Sequence, residues 1–123
     1  MNIFVKVIPH SEQRYDTCGD WYYDSDRNLV VCVSACGSKE SETLVAIHEI
    51  VEAMLCEADG IPLAIVDSFD MSYEGDDPGN DPLAPYHSQH VLAEIVERLV
   101  ALNMHVNWEK HDQCTDTLFK ESS

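Results

Sequence analysis

At 123 residues with 45% hydrophobic content, the chain is long enough for one buried core and short for two domains. Seven lysines and arginines stand against 23 aspartates and glutamates, a formal charge of −16. Such a field excludes direct nucleic-acid binding and attachment to anionic membranes, and it attracts cations or basic partners. Residues 1–9 lack the basic start and long apolar run of a signal peptide, and no apolar run approaches the roughly 18–20 residues of a membrane helix. A soluble protein of the cytoplasm is expected.

Residues 2–8 alternate and are rich in β-branched types, which predicts a first strand. Residues 21–23 and 29–34 read as two further strands around Asp24-Ser25-Asp26-Arg27-Asn28, a run of turn formers, and so form a hairpin. Ser41 and the acids Glu40 and Glu42 suit a helix N-terminus. The helix over 43–58 carries Leu44, Ile47, Val51, Met54, Leu55 and Ala58 as its buried stripe, with His48 and Glu52 at its border and Glu49 turned toward the open side. Asp59-Gly60 with Pro62 beyond stops it.

Leu63, Val66 and Phe69 suggest a short helix, and residues 71–85 form a long acidic loop rich in glycine and proline. Asp76, Asp77, Asn80 and Asp81 are calcium-type ligands without EF-hand spacing, so an exposed acidic loop is the simpler reading. The second long helix runs to about Asn103, with Leu92, Ile95, Val96, Leu99 and Leu102 as its core stripe and His87, His90 and Glu94 on another face. Trp108 caps the core, and residues 112–123 read as a flexible tail of a single domain over 1–123. The five cysteines (Cys18, Cys32, Cys36, Cys56, Cys114) are odd in number and follow no secretion signal, so neither a disulfide framework nor a cysteine metal site is expected.

A histidine and a carboxylate one helical turn apart, with a second carboxylate directly after the histidine, is how a helix presents metal ligands and a general base. His48-Glu49-Ile50-Val51-Glu52 resembles the H-E-x-x-H signature of zincin metallopeptidases, with Glu52 where the second histidine stands in that family. The resemblance implies that His48 and Glu52 bind zinc (Zn2+) and that Glu49 activates the metal-bound water. It also implies a peptide or protein substrate, laid along an edge strand for which residues 29–34 are the candidate. Ligand arithmetic makes His90 the first choice for the third ligand, with His87 and Glu94 as alternatives.

The fold expected is α+β, zincin-like: a small three-stranded antiparallel sheet packed on two main helices. The chain also resembles small uncharacterised phage proteins that share an H-E-x-x-E helix and the segment Asp81-Pro82-Leu83-Ala84-Pro85-Tyr86; that likeness implies no activity, and it would place the protein in the host cytoplasm. Glu49-x-x-Glu52 and Glu94-x-x-Glu97 resemble the magnesium-binding carboxylates of all-helical nucleotide pyrophosphohydrolases, although the strands do not fit that family. The function expected is a small zinc-dependent, peptidase-like metallohydrolase. The alternative is an acidic, non-enzymatic nucleic-acid mimic or inhibitor that binds a basic protein partner.

Overall fold

The computed structural model describes residues 1–122, so the final position of the expected flexible tail, Ser123, lies outside the described residues. Strands β1 (Ile3–Ile8), β2 (Gly19–Tyr23) and β3 (Leu29–Ser34) precede helices α1 (Lys39–Ala58), α2 (Leu63–Ser72), α3 (His87–Asn103) and α4 (Trp108–Ser122). Single 3-10 turns form at His10–Glu12 and Pro78–Asn80. Among the described residues, no helix is long and apolar enough to cross a membrane.

The architecture is α+β, but the three-stranded sheet is mixed where an antiparallel one was expected: its order is β1-β3-β2, with β3 antiparallel to β2 and parallel to β1. The hairpin forms as expected, from Gly19 opposite Val33 to Tyr23 opposite Leu29. Asp24 Oδ1 holds its turn by accepting from the amides of Asp26 and Asn28, each at 2.9 Å. Residues 9–18 carry the chain over the end of β3, so β1 and β2 become the two edges. Gln13 Nε2 pins this crossing by donating to the Cys32 carbonyl and to Ser34 Oγ, each at 3.1 Å.

The expectation that residues 29–34 form an edge strand is therefore overturned. All six residues of β3 are buried, as suits a central strand that is apolar at nearly every position. Helix α1 packs over β2 and β3 and leaves β1 largely uncovered, with Ile3, Val5 and Val7 exposed.

Helix α1 starts one turn earlier than the sequence suggested: Ser38 Oγ accepts from the Ser41 amide at 3.2 Å and is the N-cap. Its buried face is also rotated. Leu44, Val45, Ala53 and Cys56 are buried, and so are His48, Glu49 and Glu52, whereas Ile47 and Val51 are only partly covered. The inner face of this helix is thus half apolar and half ionisable.

Helix α3 departs furthest from expectation. Its buried residues are Gln89, Ala93, Glu97 and Ala101, while Leu92, Ile95, Leu99 and Leu102 point outward. Alanines let α3 approach α1 closely, and Glu97 enters the interior where the sequence had placed the leucines. Residues 112–122 of the segment expected to be a flexible tail belong to helix α4, which buries His111 and Leu118.

Candidate metal centre

Three elements meet under the sheet. From α1, His48 and Glu52 lie one turn apart; from α3, His90 faces them; from β2, Trp21 reaches across. His48 Nε2 lies 3.2 Å from Glu52 Oε2 and 3.3 Å from His90 Nδ1, and His90 Nδ1 lies 2.9 Å from Glu52 Oε2. A tetrahedral zinc with ligand bonds of about 2.0–2.1 Å separates its ligand atoms by about 3.3 Å. The observed triangle has that size, so the three side chains could hold a metal ion. Two histidines and one glutamate are also a donor set that leaves a fourth position open.

Each candidate ligand is fixed from its far side. His48 Nδ1 lies 2.8 Å from Glu97 Oε1, and His90 Nε2 lies 3.4 Å from Asp77 Oδ1. Glu52 Oε1 accepts from the Trp21 indole N–H at 3.1 Å. A carboxylate behind a ligating imidazole selects its tautomer and raises its basicity. Glu97 is shared: its Oε2 lies 2.5 Å from His111 Nε2, so α4 braces the same carboxylate. His111 is buried, and its Nδ1 has no hydrogen-bond partner among the described residues.

The electrostatics follow from this crowding. Burial would raise the Glu52 carboxyl, but hydrogen bonds to His48 and His90 outweigh it and hold the group at about 2. Burial would likewise lower His48, yet Glu52 and Glu97 stabilise its charged form and push it well up. Glu49 moves the other way: burial raises its carboxyl well above the usual range, and the nearby charge of Glu52 adds to the effect.

Glu49 was expected on the open side of α1; it is buried against Gly19 of β2 and lines the same cleft, of about 430 Å³, as His48, Glu52 and His90. A Cβ on Gly19 would fall 2.5 Å from Glu49 Oε1 and 2.6 Å from Val45 Cγ1. The Gly19→Ala variant is therefore expected to lose about 1–3 kcal/mol of stability through overpacking, measured by urea unfolding.

The other candidates stand outside the triangle. His87 Nδ1 lies 2.9 Å from the Gly79 carbonyl and anchors the acidic loop. Glu94 stands at the cleft and pairs with Arg98 at 3.8 Å. Gly79 lies so close to the His90 ring that a Cβ there would come within 2.5 Å of it, so the loop packs directly on the imidazole. Asp81 accepts from the Tyr73 hydroxyl and the Leu83 amide, and among the described residues the acidic loop forms no metal-holding group. All five cysteines are free.

Sequence reasoning missed Glu97 as a partner of His48, although His90, Glu94 and Glu97 stand at helical spacing on one face of α3. Trp21, Asp77 and His111 carried no comparable signal.

Fold and site together define a small α+β protein with a His–Glu–His cluster, two of its members buried and His90 half-buried, that could hold a metal ion. The chain matches no family model, and no curated protein or solved structure is similar to it at a significant level.

Proposed function

We propose that the protein is a zincin-like, zinc-dependent hydrolase of peptide or other amide bonds. The observation that carries this reading is the triangle of His48 Nε2, Glu52 Oε2 and His90 Nδ1, with sides of 2.9–3.3 Å and each residue held from behind by a further polar group. Zinc bound there supplies Lewis acidity, which polarises a carbonyl and acidifies water. His48, Glu52 and His90 are the residues that hold it. Glu49, in the same cleft, accepts the proton of the attacking water and returns it to the leaving nitrogen. A cation beside Glu49 favours its ionised form and so opposes the effect of burial on this carboxyl. Trp21 and Glu97 keep the ligands in place and perform no chemistry.

A second reading, an acidic decoy for a nucleic-acid-binding protein, is favoured by the net charge of −16. It gives no role to Glu49, Glu52 and Glu97, which are buried and cannot imitate a phosphate surface.

Two measurements test the proposal. Protein purified without chelator is expected to carry stoichiometric zinc by elemental analysis; wild-type protein without zinc overturns the reading. The Glu49→Gln variant is expected to retain its zinc while hydrolysis of a mixed peptide substrate falls by about 10²–10⁴-fold, the usual contribution of a general base. Equal hydrolysis by the variant and the wild type removes Glu49 from the mechanism.

A further inference from the structure

The cleft beside the triangle is lined by twelve carboxylate side chains and by no lysine or arginine. Four of these carboxylates gather at one place: Glu49 and Glu52 of α1, Asp20 of β2 and Asp70 of α2, the last three all acting on Glu49 with their charge. Among the described residues one arginine or lysine pairs with any of the four. Arg14 binds Asp20 at 2.7 and 2.9 Å and spends its remaining donors on Asp67, both at 3.0 Å. Asp70 has only hydroxyl donors, Tyr15 at 2.9 Å on one oxygen and Tyr86 on the other. Burial pushes its carboxyl up to about 6 against the pull of those two hydroxyls. Glu49 is 9% exposed, and among the described residues no hydrogen bond or ion pair reaches its carboxylate. A buried charge ordinarily has a partner, so this end of the cleft is built for positive charge that arrives from outside the chain. A divalent ion held by His48, Glu52 and His90 offsets two of the three charges that Arg14 leaves unpaired, and one remains.

We propose that the cleft receives a lysine or arginine side chain of the substrate, next to the bond to be cleaved, and that Asp70 is the carboxylate that takes its charge. The inference rests on the hydrolase reading and names the substrate class of that same site. Asp70 comes from α2 and the triangle from α1 and α3, so anchor and candidate metal ligands stand on different elements around one cavity of about 430 Å³. That volume is within the range of small-ligand pockets. Trp21, Val66 and Met71 line the same cavity and offer apolar surface to a methylene stem, while the charged head reaches a carboxylate. Tyr15 and Tyr86 each hold one oxygen of Asp70, the kind of support that fixes a group used for selection. A neutral side chain at the same place leaves Asp70 without a cation, and an acidic one adds repulsion, so selectivity comes from exclusion as well as attraction.

Titration calorimetry with capped alanine pentapeptides that carry lysine, norleucine or glutamate at the centre tests the proposal. The two amides beside the central residue are N-methylated to resist cleavage, so binding is read whether or not the protein turns over. Wild-type protein is expected to bind the lysine peptide about 10–100-fold more tightly than the norleucine peptide, and the glutamate peptide most weakly. Asp70→Asn, which keeps an acceptor for the tyrosine hydroxyls, is expected to bind lysine and norleucine peptides alike. Asp26→Asn removes the same charge from the exposed hairpin turn, outside the cleft, and is expected to keep the preference. This control separates an anchor in the cleft from the general field of a chain at −16. Wild-type protein that binds the lysine peptide no better than norleucine, or binds neither, overturns the proposal without any variant. A preference that survives Asp70→Asn, or falls equally in Asp26→Asn, overturns it too. The hydrolase reading is judged apart, with the unmethylated peptides. Cleavage without preference for lysine keeps the hydrolase and overturns the anchor; selective binding with no cleavage of any peptide keeps the anchor and overturns the hydrolase.

Discussion

The Glu52→Ala variant is expected to contain no bound zinc and to be about 3 kcal/mol less stable than wild type even in chelator. Two separate causes produce the two effects. Zinc is lost because the carboxylate is the only charged donor in the triangle, and two imidazoles alone hold the ion far more weakly. Stability is lost because Glu52 accepts hydrogen bonds in the interior: Trp21 Nε1 at 3.1 Å, His90 Nδ1 at 2.9 Å and His48 Nε2 at 3.2 Å all lose their carboxylate partner. Elemental analysis reads the first effect and urea unfolding in chelator reads the second. The His90→Ala variant separates them, since it should lose zinc while sparing the Trp21–Glu52 bond. Added zinc raises the melting temperature of wild type by mass action and should leave both variants unmoved. A Glu52→Ala variant that keeps stoichiometric zinc would remove this residue from the metal shell.

The Glu97→Ala variant is expected to lose about 3–5 kcal/mol of stability and to bind zinc about 10–100-fold more weakly, without losing the site. Glu97 touches none of the open ligand atoms. It stands behind His48 Nδ1 and in front of His111 Nε2, and it couples α1, α3 and α4 through one carboxylate. Its own carboxyl would rise on burial, but hydrogen bonds from His111 and His48 bring it below the ordinary range. Removing it strands two buried imidazoles at once. The contrast with Glu52 is diagnostic: titration with zinc should show a shifted affinity and an unchanged endpoint for Glu97→Ala, and no endpoint for Glu52→Ala. An affinity equal to wild type would show that orientation from behind is unnecessary for His48.

Much of the site was legible in the sequence because its spacing is local. His48 and Glu52 share a helix face by virtue of separation by four, and His90 followed from the need for a third donor. The hairpin was legible for the same reason, since Asp24 and Asn28 sit between two β-branched runs. What failed depended on relations between distant elements. β1 pairs with β3 because residues 9–18 cross the end of the sheet, and no local pattern records a crossing. The α3 stripe misled because apolar periodicity marks a face of a helix without fixing that face against the core, and here the face packed on α1 is the one with Ala93, Glu97 and Ala101. Asp77 and His111 stood in an acidic loop and a polar segment, where neither differs from an ordinary surface residue.

The shared Glu97–His111 contact bears on the order in which the protein matures. His48 leaves the ribosome long before α4, so a growing chain that has already built the sheet, α1 and α3 still holds Glu97 with one imidazole instead of two. The three side chains of the triangle are thus all synthesised before α4, and the arrival of α4 adds only the second brace on Glu97.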